Sequence, residues 1–178
     1  ALLQADEMTQ DRELGTVGNL PVFNRLAILP TRNFQRSQFP EAETLAADLA
    51  SRTRPADREA CASCTIGCEH HYRLRGRDTR LEYESLFALG SLCGISDAAQ
   101  IVEAAQRCDD WGIDTVSAGG TIAFAMECAE RGYLEATTAP RFGDAPSLLR
   151  ALDDLAHRRG LGDLLAEGSR RMAHKIGN

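Results

Sequence analysis

The sequence predicts a mainly α fold, a multihelical domain with a cysteine-bearing loop and a short hairpin between helices. Two observations carry this. After residue 95 the apolar residues recur at helical spacing, and each run is bounded by a capping residue and a glycine. Before residue 95, one stretch alternates loosely about a central glycine and directly follows three closely spaced cysteines. There is no internal repeat, low-complexity tract or long linker, so residues 1–178 read as a single helical domain with one ordinary core.

In chain order, Gly15 to Ile28 reads as helical despite Pro21, and Leu29-Pro30-Thr31-Arg32-Asn33 turns the chain. Glu41 to Arg52 is an amphipathic helix. Tyr72 to Arg80, with Gly76 in its middle, has the pattern of a hairpin. Its four arginines admit a phosphate, although a solvated strand face is the commoner outcome.

Ser96-Asp97 caps a helix carrying Ile101, Val102, Ala105 and Cys108, which Gly112 stops. A second helix runs from Ser117 to Arg131 with Gly132 as its stop. Gly119 and Gly120 near its start imply a close approach to the backbone there. Asp144-Ala-Pro146 opens a third, with Leu148, Leu149, Leu152 and Leu155 as its core stripe and Gly160 after it. Leu161 to Ile176 is expected to form one further helix.

With 43% apolar and 26% charged residues, the composition is that of a soluble globular protein. No apolar run approaches the ~18 residues of a membrane span. Ala1 to Glu7 lacks the basic start and apolar stretch of a signal peptide. The chain starts without Met, which reads as a fragment or a processed product. A net charge of −6 disfavours nucleic acid as the main partner. Six cysteines are too few for a disulfide scaffold, so the expected location is a reducing cytoplasm. Cys93, Cys108 and Cys128 read as small buried hydrophobes.

Three groups of residues carry possible chemistry. Cys61, Cys64 and Cys68 are spaced C-x2-C-x3-C, with Ser63 and Gly67 giving the loop freedom to converge on a metal. Zinc and iron–sulfur clusters both take four ligands, so a fourth is required. His70 or His71 would complete a structural zinc site. Cys93, another part of a larger protein, or a partner would complete an iron–sulfur site. In the second group, Asp109 and Asp114 bracket the helix stop at Gly112, so both are expected on a turn, where they either accept hydrogen bonds from a heterocycle or act as helix punctuation. In the third, Glu82 and Glu84 share a face if extended, and a buried glutamate there would suit general acid–base work.

The order of Leu29-Pro-Thr-Arg-Asn-Phe34, Cys61-x2-Cys64-x3-Cys68, Glu82-Tyr-Glu84, Leu89-Gly-Ser91 and Gly94-Ile-Ser-Asp97 resembles the aldehyde ferredoxin oxidoreductase family. Asp109-x2-Gly-Ile-Asp114-Thr-Val-Ser-Ala-Gly119 and Gly162-Asp-Leu-Leu-Ala-Glu-Gly168 continue the likeness. The resemblance implies a tungsten- or molybdenum-pterin enzyme (tungstopterin or molybdopterin) with a 4Fe-4S cluster. Such enzymes oxidise aldehydes to carboxylic acids and pass electrons to ferredoxin. It implies cluster ligation by Cys61, Cys64 and Cys68. Pterin contacts would come from Asp109 with Gly112, Ile113 and Asp114, and proton handling from Glu84.

It further implies that this is the family's middle domain, without the N-terminal β-rich and C-terminal helical domains. The fourth cluster cysteine would lie beyond Asn178, and the isolated chain would be inactive. The family's inter-subunit iron site uses Glu-x-x-His, where this chain has Glu103-Ala-Ala-Gln106. The resemblance extends to a related member, the tungsten subunit that reduces an aromatic ring attached to coenzyme A, because nothing in this segment reads substrate size. The alternative outside the enzyme class is a non-catalytic assembly module with a structural zinc site.

Overall fold

Residues 9–53 and 58–177 are described from a computed structural model of the chain; Ala1 to Glu7, read above against a signal peptide, lie outside them. The elements are helices α1 (Thr9–Leu14), α2 (Asn19–Arg25) and α3 (Ala42–Ser51), strands β1 (Arg58–Glu59), β2 (Glu69–Leu74) and β3 (Arg77–Leu81), then helices α4 (Tyr83–Leu89), α5 (Ala98–Trp111), α6 (Thr115–Glu130), α7 (Ala145–Ala156), α8 (Leu161–Leu165) and α9 (Ser169–Ile176). The result is the expected multihelical fold with one small sheet.

Punctuation residues act where the sequence puts them. The Asp97 carboxylate accepts the Gln100 N–H at 3.0 Å and starts α5. Gly112 ends it in a left-handed conformation, φ 65°, with Ile113 N–H returning to the Cys108 carbonyl at 2.8 Å. Asp144 caps α7 through the Ser147 N–H, with Pro146 in the first turn.

Three boundaries differ from expectation. The segment from Gly15 to Ile28 is a 3-10 turn at Thr16–Gly18 followed by α2 alone. Pro21 does not break α2 because it stands in the first turn, where an N–H has no intrahelical partner. The helix expected from Ser117 begins two residues earlier, since Asp114 rather than Ser117 caps it. The single helix expected over Leu161 to Ile176 is two, α8 and α9, because Gly168 adopts φ 81° between them.

The sheet is antiparallel in the order β1–β2–β3. Glu59 pairs with Glu69, His70 with Leu81, and Leu74 with Arg77 across the two-residue turn Arg75-Gly76, both at positive φ. Strand alternation turns His70, Tyr72, Thr79 and Leu81 inward. The hairpin arginines are all ion-paired: Arg73 with Asp78, Arg75 with Glu103, Arg77 with Asp110 and Arg80 with Glu69. They therefore form a solvated, charge-balanced face rather than a phosphate cradle.

The core is built by Leu86 and Leu89 of α4, Ile101 and Val102 of α5, Ile122 and Met126 of α6, and Leu148 and Leu152 of α7. Cys93, Cys108 and Cys128 are buried in it as small hydrophobes. Helices α4 and α6 cross with almost no space between them. A Cβ on Gly119 would lie 2.4 Å from the Ala88 carbonyl oxygen, whereas one on Gly120 meets nothing within 4 Å. The close approach read from the paired glycines thus belongs to Gly119 alone. Among the described residues no single helix is long and apolar enough to cross a membrane.

Candidate functional site

The cysteine loop joins β1 to β2. Cys64 N–H bonds the Cys61 carbonyl at 2.9 Å, and Ser63 and Gly67 both take left-handed φ, which curls the loop. Cys61 and Cys64 are exposed and Cys68 is half-buried. The Ile66 N–H points at Cys64 Sγ from 3.4 Å. With the Gly67 N–H, it lowers the Cys64 pKa, because such bonds favour the thiolate that a metal requires. Burial raises the pKa of Cys68, its own N–H opposes that, and the negative charges of Cys64, Glu82 and Cys61 raise it further.

The strand that leaves the loop is held by a close backbone approach. Gly15, at φ 63°, packs so tightly that a Cβ there would lie 2.7 Å from the Cys68 carbonyl oxygen and 2.8 Å from the His70 ring. His70 is buried, with Nε2 3.2 Å from the Arg12 carbonyl. His71 lies between Glu59 and Glu69. Among the described residues neither imidazole joins the thiols in a group of ligand atoms within 4.8 Å of one another, so the closed zinc site of three cysteines and an adjacent histidine is not assembled here.

Where β3 runs into α4 lies a polar cavity of about 180 Å³, lined in part by Arg80, Glu82, Glu84, Ser85, Asp109 and Asp114. Four elements supply these residues. Arg80 comes from β3, and Glu82 occupies the N-cap position of α4, where it makes no side-chain capping bond. Glu84 and Ser85 stand in the first turn of α4, and Asp109 in the last turn of α5. Ser85 Oγ lies 2.8 Å from Thr115 Oγ1, which ties the starts of α4 and α6 together at the cavity wall.

Three expectations about these carboxylates need correction. Glu82 and Glu84 do not alternate along a strand, because the chain turns into α4 at Tyr83. Glu84 is exposed rather than buried, since the first turn of α4 faces the open cavity. Asp109 does not sit on a turn but within α5, and the turn begins only at Gly112.

The electrostatics separate the neighbouring acids. Partial burial against the cavity raises the Asp109 pKa, Arg80 pulls it down, and Asp110 adds a smaller upward push. Asp110 points the other way, into a two-bond pair with Arg77 at 2.7 and 3.1 Å that lowers its pKa. Asp114 is lowered by the Ser117 hydroxyl and then by the Ser117 N–H, which it accepts at 2.7 Å. Gly112 owes its identity to its positive φ, as a Cβ there meets nothing within 4 Å, and Ile113 packs half-buried on the core.

The sequence pointed to every carboxylate of this cavity, but to Arg80 only as a hairpin arginine and to Thr115 not at all. Arg80 was legible in principle, as the outward position of β3 two residues before Glu82. The hydroxyl contact of Thr115 depends on how α4 and α6 cross, which leaves no local signal.

The cavity has the chemistry to receive the donor edge of a heterocycle, since carboxylates and hydroxyls face it from three helices. The loop offers two exposed thiols and one half-buried one, with the Ile66 N–H aimed at the Cys64 sulfur, and the three sulfurs do not all lie within 4.8 Å of one another.

Comparison with known proteins identifies the family. The family described as aldehyde ferredoxin oxidoreductase, domains 2 & 3, matches residues 1–178. The chain is 40% identical over 171 residues to the tungsten-containing aldehyde ferredoxin oxidoreductase of Thermococcus kodakarensis, covering 92% of this chain and 28% of the relative. It is 40% identical over 176 residues to the protein of that name from Pyrococcus furiosus, covering 92% and 28%. The chain thus spans under a third of the length of these relatives. Its fold is shared with the active site complex BamBC of benzoyl coenzyme A reductase in complex with 1,5-dienoyl-CoA. That match has a TM-score of 0.69 at 21% identity, over 99% of this chain and 26% of the other.

Proposed function

Because the chain belongs to the aldehyde ferredoxin oxidoreductase family, we propose that it is the part of a tungsten- or molybdenum-pterin oxidoreductase that holds a 4Fe-4S cluster beside the cofactor. The observation that carries this reading is the adjacency of loop and cavity: Cys68 directly precedes β2, and the pairing of His70 with Leu81 brings that end of the loop beside Glu82, which lines the cavity. A cluster on the loop would then lie next to whatever the cavity binds. When bound, the pterin-held metal supplies two-electron oxidation of an aldehyde and the cluster relays the electrons singly to ferredoxin.

This chain's own residues have distinct tasks. Cys61, Cys64 and Cys68 hold three corners of the cluster, and the Ile66 and Gly67 N–H groups stabilise negative charge on Cys64. Cys93, Cys108 and Cys128 are buried among helices, so the fourth ligand comes from elsewhere in the enzyme. Asp109 accepts hydrogen bonds from the amine and ring N–H groups of the pterin. Gly112 and Ile113 shape the backbone of that contact, and Asp114 fixes its geometry by capping α6.

Glu84, exposed at the cavity, takes a proton as the aldehyde is hydrated and oxidised: RCHO and water give RCOO⁻, three protons and two electrons. Substrate specificity, ferredoxin docking and turnover require the remaining domains or subunits, so this chain alone is inactive. The reducing cytoplasm suits an exposed, unpaired thiol loop.

Anaerobic reconstitution with iron and sulfide tests the reading. Uptake of both, with a visible iron–sulfur absorption that is lost when Cys61, Cys64 or Cys68 is changed to Ser, supports it. Stoichiometric zinc at the thiols, with no iron or labile sulfide taken up, overturns it in favour of a structural module. Aldehyde-dependent viologen reduction by the chain alone would refute its inactivity.

A further inference from the structure

We propose that Glu59, Glu69 and His71 form a second metal site, for zinc or ferrous iron, that clasps the two ends of the cysteine loop together.

The strand register builds the cluster. Glu59 of β1 pairs directly with Glu69 of β2, which sends both side chains to one face of the sheet. His71 follows two residues after Glu69 and projects from the same face. Its Nε2 lies 3.7 Å from Glu59 Oε1 and 3.9 Å from Glu69 Oε1. The three ligand atoms all fall within 4.8 Å of one another, and among the described residues no other trio of such side chains does so.

A second observation points to a ligand. The Nε2 atom of His71 is buried and has no hydrogen-bond partner, a condition that folded proteins rarely leave unexplained. A histidinium held simply by ion pairing would bond one carboxylate at ~2.7–3.2 Å. Here both carboxylates stand back from the ring by similar amounts. Donors ~2.1 Å from a common tetrahedral ion would be about 3.4 Å apart, so the two histidine–carboxylate edges need close by only a few tenths of an ångström, with the carboxylate–carboxylate edge, within 4.8 Å, closing through side-chain rotation.

One imidazole and two carboxylates are borderline and hard donors, which suit zinc or ferrous iron rather than a soft ion. Arg80 also reaches Glu69 Oε1, at 3.5 Å, but its side chain is 57% exposed and can swing aside.

The position explains the use. Glu59 stands two residues before Cys61, and Glu69 immediately follows Cys68. Strand β1 is only two residues long, so its ladder alone holds the loop's first end weakly. A cation bound to Glu59, Glu69 and His71 would cross-link both ends. The site uses none of the thiols and stands whether or not they carry a cluster.

The test uses the chain with Cys61, Cys64 and Cys68 all changed to Ser, so that no thiolate competes. Calorimetric titration with Zn²⁺ is expected to show one equivalent bound. Titration with Co²⁺ is expected to show a visible absorption characteristic of nitrogen and oxygen ligands. Glu59→Gln and His71→Ala should each weaken binding at least about tenfold with unchanged circular dichroism. Zinc should also slow hydrogen exchange of the β1–β2 amides. Absence of saturable binding in the Ser-substituted chain, or equal binding by the Glu59→Gln and His71→Ala proteins, overturns the proposal.

Discussion

The Asp114 carboxylate accepts the Ser117 N–H at 2.7 Å and so caps α6 at the edge of the cavity. A residue of the Asp109-x-x-Gly-Ile-Asp114 run therefore has a structural task that can be measured without any cofactor. The cap fixes where α6 starts, and with it the position of Thr115 against Ser85.

This relationship carries a pH dependence. The Ser117 hydroxyl and N–H hold the Asp114 pKa below its ordinary value, so the folded-state pKa lies under the unfolded ~3.9. The stabilisation is full above that unfolded value and is lost as pH falls through the folded one. Asp114→Ala should cost about 1 kcal/mol at pH ~7, and the gap to the parent should close below pH ~4. Urea denaturation of both proteins at neutral and acid pH is the check; a gap that does not change with pH contradicts the assignment.

Two adjacent glycines should respond oppositely to alanine. At Gly119 the new Cβ would meet the backbone of Ala88, which cannot move without separating α4 from α6. Gly119→Ala is expected to destabilise by about 1–3 kcal/mol or more. At Gly120 the space is open, and alanine should stabilise by roughly 0.5–1 kcal/mol. Thermal melts of the pair decide it, and equal shifts would mean that the helices do not cross as described.

Asp109 and Asp110 provide a matched contrast for the proposed pterin contact. Asp110 is tied to Arg77 on the outer surface, and Asp109 borders the cavity. In the assembled enzyme, Asp109→Asn should lower pterin retention by roughly tenfold or more, the loss of a charge-assisted hydrogen bond. Asp110→Asn should leave retention unchanged. Pterin quantified after gel filtration distinguishes them, and equal losses would remove Asp109 from the cofactor contact.

How much was legible follows from the range of each signal. The caps Asp97 and Asp144, the stop at Gly112 and the hairpin turn at Arg75-Gly76 are local devices, set within a few residues of the atoms they satisfy. Each could be read directly. The break at Gly168 was missed because the apolar residues on either side of it keep a helical spacing, and only the backbone angle reveals the interruption. Pro21 looked like an obstacle until the first turn of α2 was located around it.

By itself, the sequence determined a mainly helical chain, three thiols close enough to share one metal centre, and carboxylates flanking a helix stop. These depend on composition, periodicity and spacing, which act over short stretches. Only the tertiary structure decided that the Cys68 end of the loop lies across the β2–β3 ladder from Glu82, that Ser85 meets Thr115, and that Asp109 and Asp110 face opposite ways. It also set Glu59 against Glu69 and His71. Such neighbours are far apart or differently oriented along the chain. Their meeting depends on strand register and on how closely α4 can approach α6, quantities fixed by packing rather than by local propensity.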